Sequence, residues 1–130
     1  MQEKEISIVF YGRRYPRTDW RFDLDERERT AFLQGLVEEL APFGIRLGWS
    51  DQPETILEVR SYGDLLNTVR IQSAQDGLGN LCLGHIIGQS ANCDLLDDLR
   101  RGVNRIAFAP ETIEPEGSSK VVCHNCGCGC

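Results

Sequence analysis

The first part of the chain predicts a β-strand, an α-helix and a second β-strand in succession, and this unit constrains the fold more than any other segment. Residues 5–12 are β-branched and aromatic and end at a glycine, which is typical of a buried strand. After Asp25, which has a glutamate three positions on as in a capping box, apolar side chains recur at helical spacing until Pro42 and Gly44. Residues 45–49 then alternate as a strand does, so the order predicts an α/β protein.

The sequence of the middle of the chain is compatible with more than one assignment of helices and strands. Residues 53–66 fit either a helix that opens at a proline and a glutamate or a strand over residues 56–60. Residues 68–72 alternate cleanly and predict a strand. An Asp-Gly pair at 76–77 indicates a turn, after which residues 81–87 are expected to return as an antiparallel strand.

The chain closes with a helix, a linker and a cysteine-rich tail. Residues 93–106 place leucine, valine and isoleucine at helical spacing, which predicts a helix. Asn92 or Asp94 is a suitable N-cap for it. Prolines, glycine and serines then indicate a linker. We therefore expect a folded domain over residues 1–110, a linker over 111–122 and a separate tail over 123–130.

The order of these elements over residues 5–107 resembles the thioredoxin-like fold. That resemblance implies an α/β sandwich with a central mixed sheet and flanking helices, followed here by a flexible C-terminal tail. Where thioredoxins carry Cys-x-x-Cys, residues 11–16 of this chain read Tyr-Gly-Arg-Arg-Tyr-Pro. No proline stands just before Thr68, where the family places a cis-proline beside its active site. The resemblance therefore implies the fold without its usual active site.

The tail holds four of the six cysteines and one of the two histidines in the chain. It has no large apolar side chain to bury, and its glycines leave the backbone free to wrap around a small ion. Thiolates bind Cu(I), Zn(II) and iron–sulfur units, and imidazole binds zinc and copper as well. The candidate metal ligands are Cys123, His124, Cys126, Cys128 and Cys130.

The spacing of these cysteines supports metal binding first and leaves two alternatives open. The Cys-x-Cys steps favour chelation, because a disulfide across a single residue is strained. The leading hypothesis is therefore a protein that stores, transfers or detoxifies a soft metal ion, most simply Cu(I) or Zn(II), and has no catalytic residue. In the redox alternative, Cys123 and Cys126 cycle as a dithiol with a protein partner such as a reductase. In the carrier alternative, a partner enzyme modifies the tail.

A second group of potential ligands, Cys82, His85 and Cys93, lies outside the tail. If residues 81–87 form a strand, which we favour, Cys82 and His85 point to opposite faces and do not share a metal. If they form a helix, the i, i+3 spacing brings the two side chains together. We therefore expect two buried structural cysteines and a partly buried histidine.

A third group consists of arginines interleaved with aromatic residues after the first strand. This pattern predicts either an ordinary solvated loop or a site for an anion or an acidic partner. The residues are Arg13, Arg14, Tyr15, Arg17, Trp20 and Arg21.

Composition excludes several other classes of function. The chain has 20 acidic and 14 basic residues, a net charge of −6, which argues against nucleic acid or an anionic membrane as a partner. The N-terminus lacks the basic and apolar regions of a signal peptide, and no apolar run approaches the ~20 residues of a membrane span. These features predict a cytoplasmic protein whose thiols stay reduced unless they bind metal or turn over in redox chemistry.

Overall fold

The described part of the chain begins with a strand, a helix and a second strand, as its sequence predicts, and its last α-helix is a long one. The computed structural model describes residues 4–19, 21–88 and 93–113. Its strands and helices are β1 (Lys4–Arg14), α1 (Glu26–Leu40), β2 (Ile45–Glu58), α2 (Tyr62–Asn67), β3 (Val69–Ser73), β4 (Leu78–Cys82), α3 (Leu83–Ile87) and α4 (Leu95–Phe108).

The strands form a mixed sheet in the order β2-β1-β3-β4. β1 and β2 run parallel, as the crossover through α1 requires, while β3 runs antiparallel to both β1 and β4. This arrangement confirms the α/β fold class, with a mixed sheet and flanking helices, and is consistent with a thioredoxin-like sandwich.

Helix α1 begins and ends at the residues expected from its sequence. The Asp25 carboxylate accepts a hydrogen bond from the backbone N–H of Arg27 at 3.1 Å and satisfies one of the free donors of the first turn. After α1, a 3-10 turn over Ala41–Phe43 continues the helical path, and Gly44 ends it in a left-handed conformation, with φ at +73°, which glycine adopts without strain.

The core lies between one face of the sheet and helices α1 and α4. Alternate residues of β1 provide its centre, since Ile6, Ile8 and Phe10 are buried and the residues between them are half-buried. Helix α4 contributes an apolar stripe at helical spacing. Its buried apolar residues are Leu95, Leu99, Val103 and Ile106.

The ambiguous segment over residues 53–66 is part strand and part helix. β2 continues to Glu58, but three residues step out of its pairing with β1: Tyr11 lies opposite Gln52, and the next residue, Gly12, lies opposite Ile56. The helix begins only at Tyr62. The prediction of a strand is thus correct as far as Glu58. The unpaired residues form a β-bulge, which explains why apolar and polar residues do not alternate cleanly in this segment.

The strand predicted over residues 81–87 is wrong beyond its first two residues. β4 ends at Cys82, and Leu83–Ile87 forms the short helix α3. The Cys82 sulfur caps this helix by accepting a hydrogen bond from the backbone N–H of His85 at 3.4 Å. Helix α3 packs on α4, where Gly102 leaves room for Leu83. This tertiary contact, which has no local signature, overrides the apolar strand-like sequence.

The end of the described chain is held against α4. Asp94 caps α4, as predicted, by accepting from the backbone N–H of Leu96 at 3.1 Å. Arg105, in the last turn of α4, holds the segment that follows the helix. Its guanidinium donates to the carbonyl of Thr112 at 2.8 Å and to that of Ile86 at 2.6 Å. Ile113 is buried, with 4% of its surface exposed, so the core extends at least to this residue.

Candidate functional site

The five predicted metal ligands lie outside the described residues. They are Cys123, His124, Cys126, Cys128 and Cys130. The described chain ends at Ile113, so the structure does not test the prediction that these residues bind a metal. Within residues 4–19, 21–88 and 93–113, no group of three or more histidine, cysteine, aspartate or glutamate side chains is arranged to hold a metal ion.

Cys82 is buried, is not part of a disulfide and lies at the start of helix α3. Only 2% of its surface is exposed, and its sulfur caps α3 through the N–H of His85. This confirms the prediction of a buried structural cysteine and of a partly buried His85. Cys82 and His85 lie close together because the segment is helical, and the backbone N–H of His85 is within hydrogen-bond distance of the Cys82 sulfur.

Cys93 differs from Cys82 in exposure and in oxidation state. It is exposed, so the prediction that it would be buried is wrong. The physical reason is its place just before Asp94, the cap of α4, which sets it outside the apolar stripe of that helix. Its backbone has a positive φ of +50°, and its sulfur is disulfide-bonded.

The predicted arginine group is assembled at the carboxyl end of β1. The strand itself carries Arg13 and Arg14, and the loop that follows brings Arg17 and Arg21. The Tyr15 hydroxyl donates a hydrogen bond to the carbonyl of Phe22 at 3.0 Å, which closes the loop. The Arg21 guanidinium lies 5.7 Å from the centre of the Tyr15 ring, within the range of a cation–π contact.

These side chains surround an open cleft of about 480 Å³, here called the arginine cleft. No carboxylate lines it among the described residues. The lining residues are Arg13, Arg14, Tyr15, Arg17, Thr18 and Arg21.

Carboxylates contact three of these arginines from outside the cleft. Asp19 accepts two hydrogen bonds from Arg17, at 2.9 and 2.5 Å. Hydrogen bonding to Arg17 lowers the pKa of Asp19, and the same contact raises the pKa of Arg17. Glu58 pairs with Arg14, while Asp23 is 3.9 Å from Arg21.

A further ion pair lies next to the arginine cleft, between α1 and β2. The Arg29 guanidinium donates to both oxygens of Asp51, at 2.8 and 3.1 Å, and stacks 4.5 Å from the centre of the Phe10 ring. The hydrogen bonds from Arg29 lower the pKa of Asp51 against the opposing effect of burial, and the charge of Arg13 lowers it further. Sequence reasoning missed this pair because its members are far apart in the chain.

Comparison with known proteins gives no relative from which a function can be transferred. No protein-family model matches the chain, and no curated protein or solved structure matches it either. The thioredoxin-like resemblance therefore rests on the order of elements alone and stays a prediction. None of the helices in the described part of the chain is long and apolar enough to cross a membrane.

Proposed function

We propose that the protein binds a soft metal ion, Cu(I) or Zn(II), through its C-terminal cysteines and His124, and stores, transfers or detoxifies it. The single observation that carries this proposal is the distribution of thiols. Of the cysteines in the described chain, Cys82 is buried in a helix cap and Cys93 is oxidised, so neither offers a free, accessible ligand. In the fully reduced protein the four cysteines of the tail supply the thiolates, and the folded domain carries the tail.

The chemistry of the tail suits a low-coordinate, soft ion. Four thiolates and one imidazole exceed the ligand number that Cu(I) or Zn(II) needs, so no ligand from the domain is required. An iron–sulfur unit is a further cargo that four thiolates accept. Each thiol must lose its proton before it binds, so affinity should fall as the pH is lowered. We propose a cytoplasmic location, where the disulfide at Cys93 would be reduced and the tail thiols would stay reduced. The proposed partner is a metal-acceptor protein.

A competition titration with a chromophoric Cu(I) or Zn(II) chelator tests this proposal. The double variant Cys126→Ser with Cys128→Ser should weaken metal affinity by about two orders of magnitude, because it removes half of the tail thiolates. Cys82→Ser is the matched control: serine is a good helix cap, so the domain should fold and affinity should stay unchanged. Unchanged binding in the double variant, or its loss in the control, would contradict the proposal.

Thiol–disulfide exchange is a second candidate, and the disulfide at Cys93 is the observation that favours it. A disulfide at an exposed cysteine is accessible to attack by a thiolate. In this alternative, Cys123 and Cys126 form a disulfide and pass two electrons and two protons to an oxidised partner. Cys93→Ser separates the two candidates, since it should change the reduction potential and rate of thiol exchange while leaving metal affinity of the fully reduced protein unaltered.

A further inference from the structure

The arginine cleft concentrates positive charge in a chain that is acidic as a whole. The sequence has 14 lysines and arginines against 20 aspartates and glutamates, yet four arginines fall between positions 13 and 21 and line one cleft. Mutual repulsion of guanidinium groups opposes such an arrangement unless anions compensate it. The carboxylates near the cleft therefore determine how much of this repulsion remains.

The neighbouring carboxylates compensate the cleft incompletely. Glu58 is shared, since it pairs with Arg14 and also with Arg60 at 2.7 Å. Asp23 only reaches the edge of ion-pair distance from Arg21, at 3.9 Å. Among the described residues, Arg13 has no carboxylate within ion-pair distance: Asp51, whose pKa the charge of Arg13 lowers, is bound by Arg29. The cleft thus retains positive charge that faces solvent.

The backbone holds the cleft in a defined shape. The N–H of Val59 donates to the carbonyl of Arg14 at 2.8 Å and fixes the end of β1, where the arginine cleft begins. The Tyr15 hydrogen bond to Phe22 fixes the loop that follows. The guanidinium groups are consequently presented from anchored backbone, which reduces the entropy lost when a ligand binds.

We propose that the arginine cleft is a binding site for a compact small molecule that carries phosphate groups. Guanidinium groups donate paired hydrogen bonds to phosphate oxygens and remain charged at all physiological pH values. A cleft of about 480 Å³ is within the size range of small-molecule sites. It also lies at the carboxyl ends of the parallel strands β1 and β2, the edge of an α/β sheet where ligands commonly bind.

Calorimetric titration of inorganic pyrophosphate into the full-length, reduced and metal-free protein tests this inference at fixed ionic strength. We expect saturable binding, and the variants Arg17→Gln alone and Arg13→Gln with Arg17→Gln should weaken it progressively, the double variant by about tenfold or more. The matched control is Arg100→Gln, which removes an arginine that is equally paired with a carboxylate, Glu39, but lies on α4. It should leave binding within twofold of the original.

The outcomes are distinguishable from one another and from those of the metal proposal. Arg17 is half-exposed on a loop, so its substitution leaves the fold intact and a null result cannot be attributed to unfolding. Equal weakening by Arg17→Gln and Arg100→Gln would mean diffuse charge attraction and would overturn the proposal. If citrate bound more tightly than pyrophosphate, the proposal that the ligand carries phosphate groups would be wrong. Cysteine variants of the tail should leave pyrophosphate binding unchanged.

Discussion

The Tyr62 hydroxyl donates a hydrogen bond to the carboxylate of Asp98, and both side chains are buried. Asp98 has none of its surface exposed, and its second oxygen accepts a hydrogen bond from Arg101 at 3.1 Å. A buried carboxylate is unfavourable unless donors surround it. The pair therefore links α2 to α4, and a placement of α2 that separated the two side chains would cost the buried carboxylate one of its donors.

Removal of the single hydroxyl group of Tyr62 should lower the free energy of unfolding. In Tyr62→Phe the ring still fills its place, but the Asp98 carboxylate loses a donor while staying buried, so we expect the free energy of unfolding to fall by about 1–3 kcal/mol. Urea denaturation followed by circular dichroism measures this. The control is Tyr15→Phe, whose hydroxyl bonds a carbonyl at a half-buried position that water can reach, and whose effect should be smaller.

A pH-dependent contribution to stability is expected from Asp76. Burial raises the pKa of this carboxyl, but hydrogen bonds from Lys4 and Ser73, together with the charge of Lys4, outweigh burial and leave the pKa below its usual value. A carboxyl with a lowered pKa in the folded state stabilises the protein above its unfolded pKa, about 3.9, and loses this contribution as the pH falls through the folded value.

The variant Asp76→Asn should accordingly be less stable than the original protein at pH 7 by about 1 kcal/mol, and the difference should shrink as the pH falls below about 4. Urea midpoints measured at several pH values check both statements. Asp19→Asn is the control, since Asp19 pairs with Arg17 on an exposed loop where solvent screens the interaction. A difference for Asp76→Asn that stays constant with pH would rule out the ion pair as its cause.

The bulge in β2 requires a glycine at position 12. A methyl group at Gly12 would lie 2.7 Å from the carbonyl oxygen of Pro53, a backbone atom that cannot move without displacing the bulge. We expect Gly12→Ala to reduce the free energy of unfolding by about 1–3 kcal/mol. Gly48→Ala is a matched control in β2, because a methyl group there would meet no atom within 4 Å. Thermal denaturation of the two variants should separate them clearly.

The fold could be predicted where local signals and tertiary packing agree. Asp25, Gly44 and Asp94 mark the ends of helices through caps that are visible in the sequence and present in the structure. The segment after Cys82 could not be predicted, because its helical form depends on contact between Leu83 and α4. The register of β2 beyond Gln52 likewise depends on β1, a strand distant in sequence.

The candidate sites were predictable to different degrees. The arginines between positions 13 and 21 are conspicuous in the sequence, but their partner Glu58 joins them only because β2 lies beside β1. The choice between a solvated loop and an anion site depends on which carboxylates the fold brings near, and spacing alone does not contain that information. The tail ligands remain a prediction from residue type and spacing.

Deletion of the tail should leave the folded domain intact. Removal of residues 117–130 takes away no residue of the described core, so in metal-free, reducing buffer we expect a thermal midpoint within about 2 °C of the full chain. Deletion from Pro110 onward is the contrasting variant. It also removes buried Ile113 and the Thr112 carbonyl that Arg105 binds, and should lower the midpoint by about 5 °C or more. A large loss in the shorter deletion would show that the tail contributes to the core and is not an independent metal-binding arm.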